Sequence, residues 1–240
     1  MKIPNVWIVV PTYNERDNLP PLVAAIGTSQ APIRQILIVD DSSPDGTAVA
    51  ARALPNVQVL ERAAPRGYGH SMRAGLQLAL RSGADAVITM DADLSHDPAI
   101  LPQLLAALAH ADVVVGSRYC QNHTLVENWS RHRLLVSRLA TALVRLCTGV
   151  TLGDPTSGFR CWNAALLRRM DLDAVRSGGF AFLYEVLLHA RRAGARFHEA
   201  PNLYRGRVHG ESKLNLTIIL EAVRLLPRLL SLRLADRFRR

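Results

Sequence analysis

Short, almost entirely apolar runs alternate with helical patterns through the first half of the chain. The apolar runs are expected to be strands and cover residues 6–10, 36–39, 57–60, 86–90 and 113–117. The segments between them have the periodicity of amphipathic helices and cover residues 19–29, 47–54, 70–81 and 98–110. Apolar strands that alternate with such helices are typical of a parallel sheet covered on both faces. The sequence therefore predicts an α/β fold with a mostly parallel sheet and helices on both faces.

Polar motifs follow four of these strands, at the end where a parallel sheet binds ligands. PTYNE follows the first strand, DDSSPDG the second, DADLSHD the fourth and GSRY the fifth. Asp91 and Asp93 stand two positions apart directly after the fourth strand, so both carboxylates can reach one divalent cation. Mg²⁺ and Mn²⁺ prefer such oxygen ligands together with substrate phosphates. We therefore expect a Mg²⁺ or Mn²⁺ site here, although an isolated Asp-x-Asp pair also suits a solvated loop.

Two further motifs of the first half allow both a structural and a functional interpretation. Asp40 and Asp41 open an acidic turn that either caps the next helix or accepts hydrogen bonds from a nucleotide base or ribose. A calcium-binding helix–loop–helix does not fit, because its twelfth position is Arg52 rather than Glu. The two glycines of residues 66–70 precede a helix, where they form either a plain strand-to-helix turn or a cradle for phosphate.

Basic side chains gather around Trp129 in the second half of the chain. These are Arg118, Arg131, Arg133 and Arg138, and they form either a solvated basic face or a phosphate clamp. Three histidines lack metal-ligand spacing and are interpreted as surface or helix-capping residues: His96, His132 and His209. The segment GDPTSGFRCWN is expected to be a turn-rich loop, and a helix is expected over residues 180–193.

The net charge of +9 at pH 7 points to anionic partners such as nucleic acid, anionic lipid or phosphorylated substrates. An aromatic content of 5% and the lack of a known binding module argue against nucleic acid. Three cysteines without a CxxC pair exclude a complete disulfide framework and fit a reducing cytosol. The longest uncharged stretches, residues 18–33 and 98–111, are shorter than a membrane span of roughly 20 residues. Any membrane contact is therefore expected to be peripheral.

A helical tail rich in Leu and Arg divides the chain into a domain of residues 1–214 and a segment of residues 215–240. Up to residue 230, the charged residues of this tail share one helix face, opposite a face of Ile, Ala and Leu. Such an amphipathic helix is typical of a segment that lies on a membrane surface. The alternative is an ordinary terminal helix packed on the domain or on a partner subunit. A kink or a second short helix is expected after Pro227, where the helical phase breaks.

Taken together, the ordered motifs are more specific than any one of them. VVPTYNE, VDDSSPDGT, MDADLSHDP, GSRY, NWSRHR, DPTSGFR and HGESKL follow one another along the chain. From about residue 6 to residue 214, the sequence resembles the dolichol-phosphate or polyprenol-phosphate mannosyltransferases, inverting GT-A enzymes of glycosyltransferase family 2. The resemblance implies a Rossmann-like GT-A fold, GDP-mannose as donor, a polyprenyl phosphate as acceptor and a divalent cation. It further implies a peripheral place on the cytoplasmic face of a membrane and leaves a membrane partner subunit open.

Site residues are carried over from the same motifs. The resemblance implies that the guanosine is held by Pro11, Tyr13, Glu15 and Asp40 or Asp41. It implies that the cation and diphosphate are met by Asp91, Ala92 and Asp93, with Ser95 as a cation neighbour where related sequences often carry Gln. It assigns the acceptor phosphate to Arg118, Arg133 and Ser137, and it also counts Arg118 on the donor side. It assigns a loop that closes on the donor to Arg207 and Lys213, and a positioning role to Asp154, Ser157 and Arg160.

The reaction implied by this resemblance requires no strong general base, because a phosphate oxygen is already ionised near neutral pH. Positioning and electrostatics would then do most of the catalysis. The resemblance assigns this work to Asp91, Asp93, Arg118, Arg133 and Lys213. Direct displacement would invert the anomeric centre and give a β-linked lipid-phosphate mannose and GDP. The alternatives are a related lipid-phosphate transferase that uses a UDP-sugar, with glucose or an amino sugar, and a non-catalytic basic protein that binds nucleic acid.

Overall fold

The structure is a computed structural model that describes residues 4–120, 123–127, 129–205 and 216–237, without the side chains of residues 216–223 and 236–237. The strands are β1 Val6–Thr12, β2 Ile33–Asp40, β3 Val57–Glu61, β4 Ala86–Thr89, β5 Val113–Ser117, β6 Arg160–Asn163 and β7 Phe197–Pro201. The helices are α1 Leu19–Thr28, α2 Thr47–Arg52, α3 Tyr68–Arg81, α4 Leu101–Ala107, α5 Arg131–Thr148, α6 Ala164–Arg169, α7 Phe182–Arg192 and α8 Leu216–Arg237. A short 3₁₀ turn, Pro98–Ile100, leads into α4.

These strands form one sheet in the order β3-β2-β1-β4-β6-β5-β7. Neighbouring strands are parallel except at β6, which runs antiparallel to both β4 and β5. The prediction of a mostly parallel α/β sheet is confirmed, and each of the five expected strands is present. The expectation of a loop throughout GDPTSGFRCWN is wrong, because Arg160–Asn163 is strand β6, an interior strand of the sheet. A strand of four residues that begins with a charged side chain gives little apolar signal in the sequence.

Helices cover both faces of the sheet. The side chains of each strand alternate between these faces, so each face carries an apolar layer for the helices to pack against. Trp7 and Val9 point to the layer filled by α3, α6 and α7, whereas Ile8 and Val10 point to the layer filled by α1 and α4. Helix α3 approaches the sheet closely at Gly75. At Gly75 an added Cβ would collide with Val9 and lie 3.0 Å from Val39 Cγ2, so the helix backbone rests directly on β1 and β2.

The C-terminal helix α8 packs on the domain along the part whose side chains are described. Leu229 is buried with Cys147 of α5 and Leu188 of α7, and Leu225, Leu226 and Leu232 pack around them. Within residues 224–235 this part of the apolar face therefore packs on the domain, as the alternative of a packed terminal helix predicts. A second short helix after Pro227 is not present, since α8 runs as one helix from Leu216 to Arg237 with Pro227 inside it.

The contact between α3 and the sheet predicts opposite effects of the same substitution at two helical glycines. Gly75→Ala should lower the free energy of unfolding by about 1–3 kcal/mol, because the methyl group has no space against Val9. Gly27→Ala in α1 has nothing within 4 Å of its new methyl group and should be neutral or stabilising by up to about 1 kcal/mol. Urea titrations of both variants would test this, and equal effects would contradict the packing described here.

Candidate functional site

A cleft of about 330 Å³ opens at the carboxyl ends of β1, β2 and β4. It is lined by Pro11, Thr12, Tyr13, Glu15, Asp41, Arg66, Gly67, Tyr68, Ser71, Asp91, Ala92, Asp93 and Phe180. The motifs after β1, β2 and β4 contain the residues expected to bind the nucleotide, the diphosphate and the cation. All of these residues except Asp40 and Ser95 line the cleft. The side chains that follow separate strands thus come together at one edge of the sheet, as the order of the motifs suggests.

The carboxylate pair is held by a tight turn after β4. The Asp91 amide donates to His96 Nδ1 at 3.0 Å, and the His96 ring stacks on Phe159 with centroids 5.0 Å apart. Asp93 Oδ1 accepts from both the amide of Ser95 at 3.1 Å and its hydroxyl at 2.6 Å. His96 is therefore a buried brace of the turn rather than a surface histidine. Its spacing of five residues from Asp91 is the sequence signal that could have identified it.

The chemistry of this pair fits a divalent cation. Both carboxylates line the cleft, and the Asp91 side chain is 33% exposed. Carboxylate oxygens are hard donors, which suit Mg²⁺ or Mn²⁺ when substrate phosphates supply further ligands. Ser95 differs from expectation, because its buried hydroxyl is directed at Asp93 and orients that carboxylate.

The acidic turn after β2 is a structural brace. Asp40 is fully buried and accepts hydrogen bonds from Thr12 Oγ1 at 2.9 Å, from Ser43 Oγ at 2.6 Å and from the Ser43 amide at 2.8 Å. Asp41 accepts from Arg62 Nη1 at 2.5 Å and from Ser71 Oγ at 2.6 Å. Asp41 lines the cleft whereas Asp40 does not.

The segment of residues 66–70 is a strand-to-helix turn. The Gly67 amide donates to Asp41 Oδ2 at 2.8 Å, and the Gly69 amide donates to the Gly178 carbonyl at 2.7 Å. These two amides are committed to protein acceptors, which favours the plain turn over a backbone phosphate cradle. The turn instead brings Arg66 to the rim of the cleft, where it donates to the Tyr13 hydroxyl at 3.0 Å and lies over its ring.

Arg118 is committed to a buried ion pair. Its Nε and Nη2 donate to the two oxygens of Asp154 at 2.6 and 2.7 Å, and Nη2 also donates to Thr156. Burial opposes charge on both groups, but their attraction lowers the pKa of Asp154 and raises the pKa of Arg118. Arg118 thus holds its surroundings through Nε and Nη2, and its expected direct contact with the acceptor phosphate stays a prediction.

A basic and aromatic corner, consisting of Arg118, Tyr119, Trp129, Arg133 and Tyr204, lies beyond the end of β5. The Arg133 guanidinium is exposed and lies 4.1 Å from the centre of the Trp129 ring, which also meets Arg118 at 5.4 Å. Trp129 packs edge-on against Tyr204 at 5.4 Å. Arg133 is thus presented at the first turn of α5, with its guanidinium against the aromatic side chains of this corner.

Of the remaining candidate site residues, Ser137 and Ser157 lie in the described part of the chain, whereas Arg207 and Lys213 do not. Ser137 receives a hydrogen bond from the Tyr119 hydroxyl at 2.7 Å, so it belongs to the same corner. Ser157 donates to the Gly116 carbonyl at 2.7 Å, while Thr89 Oγ1 donates to the Gly158 carbonyl at 2.8 Å. The segment before β6 therefore ties together the ends of β4 and β5. Arg207 and Lys213, expected in a loop over the donor, lie outside the described residues, as does His209.

Comparison with known proteins identifies the relatives of this chain. The profile described as Glycosyl transferase family 2 matches residues 7–175. The chain is 38% identical over 222 residues to the undecaprenyl-phosphate mannosyltransferase of Micrococcus luteus, covering 91% of this chain and 90% of that protein. It is equally identical over 222 residues to the polyprenol monophosphomannose synthase of Mycolicibacterium smegmatis, covering 90% and 83%. It is 33% identical over 232 residues to the dolichol-phosphate mannosyltransferase of Pyrococcus furiosus, covering 94% of this chain and 63% of that protein.

A solved structure with the same fold is glucosyl-3-phosphoglycerate synthase from Mycobacterium tuberculosis, crystallised with Mn²⁺, UDP-glucose and phosphoglyceric acid. Its TM-score is 0.68 at 19% identity, covering 95% of this chain and 78% of that one. The likeness confirms the expected GT-A fold.

The buried pair of Arg118 and Asp154 predicts a pH-dependent loss of stability. Asp154→Asn should lower the free energy of unfolding by about 3–5 kcal/mol near pH 7, because it leaves the Arg118 charge without a counterion. The pKa of Asp154 is lowered in the folded state, so its contribution is complete above about pH 4, the ordinary value for Asp, and is lost as the pH falls below it. The difference between wild type and variant should therefore shrink in acid.

Denaturant titrations at pH 7 and at pH 3 would measure this difference. Asp112→Asn provides a matched control, because Asp112 pairs with an exposed arginine, Arg196, and surface pairs contribute little. Equal losses in the two variants at pH 7 would contradict the assignment of Arg118 to a buried structural pair.

Proposed function

The chain belongs to glycosyl transferase family 2, among its polyprenol-phosphate mannosyltransferases, and we propose on this basis that it transfers mannose from GDP-mannose to a polyprenyl phosphate. The product is a β-linked polyprenyl phosphate mannose, formed with inversion, and the by-product is GDP. The observation that carries the proposal is the carboxylate pair Asp91 and Asp93, which lines one cleft together with Tyr13, Glu15 and Asp41. The exposed cation of Arg133 is presented from a separate corner at the end of the next strand.

On the donor side, we assign the guanosine to the part of the cleft formed by Pro11, Tyr13, Glu15 and Asp41. Asp91 and Asp93, with the backbone at Ala92, are assigned to the cation and the diphosphate. A divalent cation bound there would supply positive charge that neutralises the departing diphosphate. Ser95 and His96 keep the turn in place, so the backbone that carries the two carboxylates needs little rearrangement when the donor binds. Arg207 and Lys213 stay predictions for the loop that closes over the donor.

On the acceptor side, Arg133 is assigned to the lipid phosphate. It lies in the first turn of α5, where Ser130 caps the helix by accepting from the Arg133 amide at 3.2 Å. The partial positive charge of this helix end adds to the charge of the guanidinium. Arg118 acts indirectly, since it fixes Trp129, on which Arg133 rests. The phosphate oxygen is already ionised near neutral pH, so orientation of the two substrates is the main task of these residues.

We assign membrane contact to the exposed surface of α5. Its large apolar residues are exposed, with Leu135 at 68%, Leu139 at 59% and Leu146 at 60%. On the helix these leucines form one stripe beside Arg131, Arg138 and Arg145, which recur every seven residues. A leucine stripe with flanking arginines suits a surface that contains anionic lipid. Among the described residues, no helix is both long enough and apolar enough to span a membrane.

This arrangement supports a peripheral enzyme that reaches a lipid phosphate without leaving the surface. Arg133 begins the same helix that carries the exposed leucines, so the assigned phosphate site and the assigned membrane surface are continuous. A polyprenyl phosphate could therefore present its head group at the end of α5 while its chain stays in the bilayer. The cytoplasmic face remains the side predicted for this contact.

Transfer of labelled mannose tests the proposed reaction and the role of the carboxylate pair together. Wild type with GDP-mannose, Mn²⁺ or Mg²⁺ and a polyprenyl phosphate should form labelled lipid, and EDTA should stop the reaction. Asp91→Asn and Asp93→Asn should each reduce kcat by a factor of about 100 or more, because each removes a charge opposite the diphosphate. Asp173→Asn, at an exposed position, is the matched control and should retain activity.

The donor is tested in the same assay with UDP-glucose and a UDP-amino sugar. Faster transfer from either UDP-sugar than from GDP-mannose would overturn the donor assignment while leaving lipid-phosphate transfer in place. Full activity of the wild type in metal-free buffer, or of both Asn variants, would overturn the role assigned to the carboxylate pair.

If the exposed leucines of α5 bind the membrane, their replacement should weaken membrane binding and leave nucleotide binding intact. The combined change Leu135→Ser, Leu139→Ser and Leu146→Ser should weaken binding to anionic liposomes by more than a factor of about ten, because it removes most of the apolar area offered to the bilayer. GDP binding should be unchanged in calorimetry. Val49→Ser, at another exposed apolar residue on α2, should leave liposome binding as in the wild type. Sedimentation of the triple variant at wild-type levels would contradict the assignment.

A further inference from the structure

Tyr68, the first residue of α3, lines the cleft and carries a buried hydroxyl. Its ring stacks on Phe180 with centroids 4.8 Å apart and an interplanar angle of 17°, and both rings line the cleft. The hydroxyl oxygen is shielded from solvent and has no hydrogen-bond partner in the part of the chain that the structure describes. The side chain is therefore held firmly by its ring, while its polar atom is left unsatisfied.

The hydroxyl faces the same small space as the Asp91 carboxylate. The Cβ position of Gly158 would lie 2.7 Å from the Tyr68 oxygen and 3.6 Å from Asp91 Oδ1. Only a residue without a side chain fits there, so Gly158 keeps open the space that separates the phenol from the carboxylate. A short movement of the Asp91 side chain across this space would bring it within hydrogen-bond distance of the phenol.

A buried cation, Arg160, also interacts electrostatically with the phenol. Arg160 is 1% exposed, and Nη2 donates to the Pro155 carbonyl at 2.9 Å, whereas Nε has no partner among the described residues. Burial, and then the charge of Asp91, raise the pKa of Tyr68, while the charge of Arg160 opposes them. The phenol therefore lies within electrostatic reach of a carboxylate and of a guanidinium, which favours an O–H bond directed toward Asp91.

A buried hydroxyl without a partner destabilises a folded protein, so such a group calls for an explanation. Asp93 already has an orienting hydroxyl, because Ser95 donates to it at 2.6 Å. Tyr68 is placed to do the same for Asp91 once the donor has bound. Building on the proposed function, we propose that Tyr68 is a positioning residue of the donor site, whose hydroxyl donates to Asp91 Oδ1 in the complex with cation and nucleotide.

Tyr68→Phe tests this role, because it removes the hydroxyl and keeps the ring stacked on Phe180. The ligand-free variant should melt at the same temperature as wild type or higher, since an unsatisfied buried group is lost. The rise in Tm caused by Mn²⁺ with GDP should be smaller than in wild type. Calorimetry should show Mn²⁺ affinity in the presence of GDP weakened about tenfold, as expected for the loss of one hydrogen bond to a charged group.

Thr141→Val supplies the matched control. The Thr141 hydroxyl on α5 is also buried without a partner among the described residues, and it does not line the cleft. This variant should also melt at or above the wild-type temperature, but its response to Mn²⁺ and GDP should be unchanged. The comparison separates the removal of an unsatisfied hydroxyl in general from the loss of one beside Asp91.

The outcomes distinguish this inference from the proposed function. A Tyr68→Phe variant that responds to Mn²⁺ and GDP as wild type does would overturn the inference alone, and so would one that melts lower when ligand-free yet keeps its ligand response. The same comparison with Mn²⁺ and UDP applies if wild type binds that nucleotide instead. A wild type that binds neither nucleotide with Mn²⁺ would overturn both the proposed function and the role of Tyr68.

Discussion

The pairing of β6 between β4 and β5 is the constraint on which the rest of the site depends. Because β6 runs antiparallel to both neighbours, the segment that precedes it lies at the same edge of the sheet as the turn that follows β4. The hydrogen bond from Thr89 to Gly158 and the stack of His96 on Phe159 join the two segments. The carboxylates of the cleft are thereby supported from a part of the chain that lies about 65 residues further along.

Buried charge at this edge is mostly used to hold the site rather than to contact a ligand. Asp41 binds Arg62, Asp154 binds Arg118, and Asp40 is satisfied by hydroxyl and amide donors. Such groups are costly to bury unless they are paired, so each pair fixes the position of the loop that carries it. Asp91, 33% exposed in the cleft, and Arg133, exposed beyond β5, are two of the charged side chains assigned to substrates.

Much of the fold and of the donor side could be predicted from the sequence, because the strands are continuous apolar runs and parallel strands end at one edge. Strand β6 could not, since a four-residue segment is recognised as a strand only through its two neighbours. The roles of Arg118 and Tyr68 depend on partners far away in sequence, Asp154 and Gly158, which no local pattern reveals. The amphipathic periodicity of α8 correctly predicted an apolar face, but periodicity does not show whether the domain or a membrane covers that face.

The central claim is that the turn after β4 holds the cation and diphosphate of a sugar-nucleotide donor. A crystal structure of the protein with GDP and Mn²⁺, with data collected at the manganese absorption edge, tests it most directly. We expect an anomalous peak between the GDP diphosphate and the carboxylates of Asp91 and Asp93. A structure that shows GDP in the cleft with manganese bound away from both carboxylates, or GDP bound elsewhere on the protein, would contradict the claim.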